Sequence, residues 1–389
     1  MAIVNLLTQL PKPGGLWPII IGGIHNGIGN FGWTIVIFTL IVKLVMTPFD
    51  FLMRWFSKKN SLVQQKLAPQ VEKINKKYAN DKQKATMQTQ ALYKREGAHV
   101  FTTCIFSLLY LVLTMVVFFT LFGSLRDYSA YNSINQYDKM RTTYYETLGV
   151  DPNLSYDEIK GKIERNEYVL SDEDYQKANA AAKEVWNQNK DGWLWIENIW
   201  RADSQENPMP TYKSLKSIVS SAKDKKATKA FKAINKTEYE EITLQVSKSY
   251  KGHWNGYYIL AVLSIGLTFL SQWIAELGNK VKREKKPKEQ INRFYKPEDE
   301  KDKKSAVSAG MGSSMKILKY VMPVIMALFV ITSSAAFGIY IVVSSLVSTL
   351  TSLLINYLVR LATKKQEAEV ALILEKQEKK STKNKGEIK

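Results

Sequence analysis

The sequence predicts an all-α polytopic membrane protein with five transmembrane helices, and three observations carry that prediction. Five apolar runs in the 389 residues, at 33–53, 101–122, 257–277, 317–335 and 336–360, are each long enough, or nearly so, to cross a hydrocarbon core of roughly 30 Å. The charges fall almost wholly between these runs, so a mean hydropathy of −0.21 averages two very different kinds of segment. The sign of the charge also alternates by segment. Residues 54–100 carry a net +8, 278–316 a net +6 and 361–389 a net +3, whereas 123–256 carry 20 basic and 20 acidic residues. Positive loops stay in the cytoplasm during insertion, so this pattern places 123–256 and the N-terminus outside and the C-terminus inside.

The composition argues against an enzyme and against a bound cofactor or metal. A single cysteine, Cys104, excludes an intramolecular disulfide and any multi-thiolate site. His25, His99 and His253 are scattered with no ligand spacing. No GxGxxG, GxxxxGK[ST] or GxSxG motif occurs, so phosphate, nicotinamide and acyl chemistry have no visible seat.

In chain order, residues 1–32 read as an extracellular or interfacial amphipathic segment, because GLWPIIIGGIHNGIGNFG carries too many Gly and Asn to span; Trp17 would anchor it. The span 33–53 places Thr39, Lys43 and Thr47 at i, i+4 spacing, on one helical face. Lys43 lies near the bilayer middle, where a charge costs at least ~2.5–3.5 kcal/mol and marks a functional site by default. The two flanking threonines point to a shared wet face rather than to a lysine merely snorkelling along its own stem. Asp50 and Glu276 sit at span ends, leaving no intramembrane acid to pair with Lys43, which counts against ion-coupled transport.

Residues 54–100 predict a cytoplasmic helical hairpin, with Pro69 opening a helix, Ala79-Asn80-Asp81 turning it and Gly97 ending it. After the span 101–122, the extracellular region 123–256 predicts capped helices: Ser155-Tyr-Asp-Glu158 is a capping box and Ser171-Asp-Glu-Asp174 resembles one. The density of Trp193, Trp195, Trp200, Trp254, Tyr257 and Tyr258 suggests the outer membrane–water boundary or, for Trp193 and Trp195, a small core. Asn235-Lys-Thr237 fits a glycosylation pattern only weakly. The span 257–277 leads into a cytoplasmic basic loop, 278–316, too charged to pack. The spans 317–335 and 336–360 turn tightly at Thr332-Ser-Ser-Ala-Ala, and a basic cytoplasmic tail, 361–389, ends the chain. The last span carries Ser344, Ser345, Ser348, Thr349 and Ser352 near helical spacing, which suits either close helix packing or a hydrated cavity facing Lys43.

This order of parts resembles the YidC-type membrane protein insertases of bacteria, in a Gram-positive-like five-span form, over 31–122, 191–211 and 257–360. The segments that carry the resemblance are FGWTIVIFTLIVKLVMTP, LAPQVEKINKKYANDKQKATMQTQALYKREG, WLWIENIWRAD and AAFGIYIVVSSLVSTL. The chain departs from the family at Lys43, where Arg is usual, and at His99-Val100 and Thr103-Cys104-Ile105-Phe106, which open the second core span differently. The long stretch 123–190 before Trp193 has no family role. The resemblance implies a five-helix groove, open to the cytoplasm and lipid, in the plasma membrane. Lys43, Thr39, Thr47, Tyr340, Ser344 and Ser348 would form its client-binding surface. Such a protein is a non-enzymatic insertase and chaperone. Its expected partners are nascent membrane proteins and membrane lipids, with the ribosome and the Sec translocon as candidates and DNA excluded. A small-solute channel and a membrane scaffold with an extracellular binding domain are the competing classes. No internal repeat favours the channel.

Overall fold

The computed structural model describes residues 10–97, 100–279, 321 and 323–386. Every regular element among them is a helix, numbered here α1 (Leu16–Ile28), α2 (Phe31–Lys77), α3 (Lys82–Arg95), α4 (Val100–Thr147), α5 (Tyr156–Glu164) and α6 (Asp172–Asn189). They continue as α7 (Tyr212–Ser221), α8 (Lys225–Lys232), α9 (Lys236–Ser249), α10 (Ile259–Asn279), α11 (Pro323–Thr332) and α12 (Ala335–Gly386). Three of them, α2, α4 and α12, are long and apolar enough to cross a membrane; α1, α10 and α11 contribute shorter apolar stretches. The protein is therefore membrane-embedded and helical. The basic loop expected at 278–316 lies almost wholly outside the described residues.

Two compact units make up the chain. The first comprises Met1–Ile41, Val117–Phe269 and Lys304–Leu346, and the second Val42–Val116, Leu270–Lys303 and Val347–Lys389.

In the first unit, α4 continues 25 residues past the apolar run, with Gly123 its only Gly or Pro beyond it, and packs against α5–α9. The core holds Tyr137, Met140, Trp186, Tyr239 and Ile242, all essentially buried. Arg141 lies inside this core: Nε donates to Glu238 Oε1 at 2.7 Å, and Nη1 and Nη2 donate to the Pro152 and Leu154 carbonyls at 2.7 and 2.9 Å. The Tyr145 hydroxyl donates to the same Glu238 oxygen at 2.9 Å, so the buried charges are fully occupied. Both expected capping boxes form, at Ser155–Glu158 and Ser171–Asp174. Asn235 uses its side chain to cap α9. The aromatic group divides: Trp200 is buried, while Trp195, Trp254, Tyr257 and Tyr258 are exposed. Trp193 presses on Gly32, where any Cβ would sit within 2.3 Å of the indole ring.

Helix α1, at 13 residues about 20 Å long, is too short to span. It is held on α4, where Trp17 Nε1 donates to Thr120 Oγ1 at 2.8 Å and the Tyr128 hydroxyl donates to the Pro18 carbonyl at 2.9 Å. The Trp17 indole is thus tied to a helix.

The second unit forms the hairpin of α2 and α3, turned at Tyr78–Asp81, where the Asp81 carboxylate caps α3 through the Lys84 amide. Gly97, at φ +71°, follows the end of α3. Pro69 corrects one expectation: it does not open a new helix, because α2 runs unbroken from Phe31 to Lys77 with Pro48 and Pro69 inside it. The residues before Pro69 are Gln65, Lys66, Leu67 and Ala68, none able to cap. Starting afresh there would orphan several amides, whereas continuing forfeits one backbone hydrogen bond. The apolar runs that end near 53 and 360 likewise stop without ending their helices.

Candidate functional site

Lys43 is set on α2 by its neighbours. Leu44 and Val45 are among the most exposed apolar side chains, and lipid is the medium that suits them. The lysine turns the other way, and its ammonium donates to Ser348 Oγ on α12 at 2.8 Å. Among the described residues Lys43 makes no ion pair. Thr47, one turn on, donates to the Lys43 carbonyl at 2.7 Å, and Thr39 donates to the Ile35 carbonyl at 2.6 Å. Both threonine hydroxyls are thus satisfied within their own helix.

Below this contact the second unit joins Asp50 and Ser352, both noted in the sequence, to groups that sequence reasoning missed, Arg54, Tyr110 and Asn356. Arg54 forks onto α12, Nη2 donating to Ser352 Oγ at 2.6 Å and Nη1 to Asn356 Oδ1 at 3.0 Å. Asn356 Nδ2 in turn donates to the Ile274 carbonyl at 2.9 Å. The Tyr110 hydroxyl donates to Asp50. Farther along, Lys58 pairs with Glu367 at 3.0 Å and Lys66 with Glu369 at 2.8 Å. A signal for this seam existed. Positions 43, 47, 50 and 54 share one face of α2, and 348, 352 and 356 share one face of α12.

The partners also fix direction. Going down α2 from 43 to 66, the contacts on α12 advance from 348 to 369, so the two helices run parallel.

Of the six sequence-predicted site residues, Lys43, Thr47 and Ser348 come together in this seam. Thr39, Tyr340 and Ser344 belong to the first unit, where Thr39 and Tyr340 are buried and Ser344 is half-buried; Tyr340 lies against Phe337 with ring centroids 6.2 Å apart.

A family model, described as the 60Kd inner membrane protein, matches residues 23–364, from within α1 to within α12. The chain belongs to that family. Relatives named membrane protein insertase YidC match as well, in keeping with the expected kinship to YidC-type insertases. The one from Caldanaerobacter subterraneus subsp. tengcongensis is 33% identical over 110 residues, 28% of this chain and 50% of that protein. The one from Fusobacterium nucleatum is 34% identical over 125 residues, 32% of this chain and 54% of the relative. A Campylobacter jejuni relative is 34% identical over 99 residues, 25% of this chain and 17% of its own length. The matched stretches thus span about half, or less, of the relatives' own length. No solved structure matches the chain.

Proposed function

We propose that this member of the 60Kd inner membrane protein family is a membrane protein insertase and chaperone. It receives hydrophobic client segments in a hydrophilic groove open to the cytoplasm and releases them into lipid, without breaking a bond. The observation that carries this reading is Lys43, an ammonium on an otherwise lipid-suited helix that rests on a serine hydroxyl rather than on a carboxylate. A cation so placed has no carboxylate partner to give up before it meets the acidic residues of an incoming tail, and in a poorly solvated groove that attraction exceeds its strength in water. Thr47 and Ser348 flank it as the hydroxyl lining.

The parallel course of α2 and α12 supports the five-span topology. Parallel spans need an odd number of crossings between them, and 101–122, 257–277 and 317–335 supply three. The positive charge of 54–100, 278–316 and 361–389 then sets the N-terminus outside and the tail inside. Nascent membrane proteins are the clients, and the ribosome and Sec translocon are candidate neighbours of the cytoplasmic hairpin and tail.

The test replaces Lys43. Lys43→Arg keeps a cation and should keep client insertion near wild type. Lys43→Ala should lower it about tenfold or more, the worth of one charge-assisted contact. Unchanged insertion by Lys43→Ala would overturn the central-cation reading. In a Cys104→Ala background, Lys43→Cys should react with a polar maleimide from the cytoplasmic face only; reaction from both faces would make the path a channel.

A further inference from the structure

The first unit contains an open cavity of about 430 Å³ whose lining includes no aspartate or glutamate. Its walls come from α4, the loop after Trp200, α7 and the Ser333–Ser334 turn. Arg126 and Arg201 are both on its lining. Arg201 is only 5% exposed, its Nε is buried with no hydrogen-bond partner, and Nη2 reaches only the Glu206 carbonyl at 3.3 Å. Arg126 lies over the Phe122 ring at 5.2 Å and makes no ion pair among the described residues. The hydroxyls of Ser217, Ser333 and Ser334 and the Gln205 amide, all on the lining, have no side-chain hydrogen bond there either. Burial lowers the Arg201 guanidinium from 12.5 to about 10.

A buried cation without a counter-charge is costly, and this fold retains one beside a second cation and spare hydroxyl donors. That donor set matches a tetrahedral oxyanion, because a guanidinium fork takes two phosphate oxygens at once and hydroxyls take the rest. The cavity is also rigid on one side. The Ala335 amide donates to the Arg201 carbonyl at 2.7 Å and Ser204 Oγ donates to the Ile331 carbonyl at 2.6 Å, tying the turn to the loop.

The apolar surroundings name the bearer of the phosphate. Phe122 and Phe329, also on the lining, touch with centroids 5.7 Å apart, which joins the ends of the runs 101–122 and 317–335. On the same helices Phe119 and Leu328 are 53% and 57% exposed, so greasy surface leads up to the basic mouth. We propose that this cavity binds a phosphate group, delivered by a phospholipid headgroup whose acyl chains lie along Phe119 and Leu328. The lipid assignment rests on reading both runs as membrane spans; free inorganic phosphate offers the same chemistry from water. The volume suits a headgroup, within the roughly 300–1,000 Å³ of ordinary ligand sites.

The full-length protein, purified from nanodiscs of phosphatidylglycerol and phosphatidylcholine, can be examined by native mass spectrometry for retained lipid, alongside calorimetric titration with inorganic phosphate. Phosphatidylglycerol adducts should fall about tenfold in Arg126→Gln, Arg201→Gln and Ser217→Asp. They should persist in Arg165→Gln, whose side chain is outside the cavity. Arg126 is half-buried and Ser217 exposed, so their variants answer the question even where Arg201→Gln does not fold. Titratable inorganic phosphate with no lipid adduct, lost in the same variants, would uphold the phosphate site and assign it to the free ion. Equal adducts in every variant and no phosphate binding would overturn it, as would binding of an acidic peptide in place of both.

Discussion

The water-side core of the first unit and the helical seam of the second are built in opposite senses. Around Trp186 and Tyr239 apolar side chains are inside, and the only buried ion pair, among the described residues there, is Arg141–Glu238 with its carbonyl and hydroxyl partners. In the seam the inside is Lys43, Arg54, Ser352 and Asn356, while Leu44, Leu108 and Leu353 face away from the protein. Of the most apolar window of α4 only 6% is buried. One rule explains both, since each interior collects what its surroundings do not solvate. Water drives apolar area together. Lipid tails do not, so helices there associate through hydrogen bonds and packing.

That contrast can be broken by substitution. The largest effect should come from Glu238→Ala, which strands the Arg141 guanidinium in a dry core; about 3–5 kcal/mol should be lost from the α4–α9 core, read as its melting transition in detergent. Next, one change should have opposite outcomes at two exposed sites. Leu44→Asp, at a 75% exposed position within an apolar run, should cost about 2.5–3.5 kcal/mol and lower the fraction of chain integrated after alkaline extraction. Val169→Asp, at 88% exposure between α5 and α6, should stay within about 0.5 kcal/mol. Equal effects at the two sites would mean that both face the same solvent.

A pH test sharpens the water-side half. Asp138 is buried, and burial raises its carboxyl from 3.8 to about 6. A folded-state value above the unfolded one favours the fold when the group is protonated. That contribution is full below about pH 4 and is lost as pH rises through 6. Asp138→Asn, always neutral, should therefore gain on wild type by roughly 1–2 kcal/mol between pH 4 and 7.5, measured as the difference in melting midpoint. The smallest effect should be in the seam. Arg54→Met removes its two bonds to α12, yet polar contacts between membrane helices average only about 0.6 kcal/mol, so a shift of that order is expected in unfolding from mixed micelles.

What the sequence determined was everything carried within a few residues. Apolar runs marked the long helices, Ser155–Glu158 and Ser171–Asp174 marked helix starts, and Asp81 and Ser333–Ser334 marked turns. Lys43 stood out because a charge inside an apolar run is anomalous whatever surrounds it. The tertiary structure decided what those residues meet. Ser348 lies 305 residues from Lys43 and Asn356 lies 302 from Arg54, separations that no local period encodes. It also decided that Pro69 continues a helix, since the alternative start lacked a cap, and that Arg126 and Arg201 line one acid-free cavity. Local signals survive in sequence because helix geometry repeats every few residues. The company kept by a side chain across the fold depends on how whole helices pack, and only the folded chain settles that.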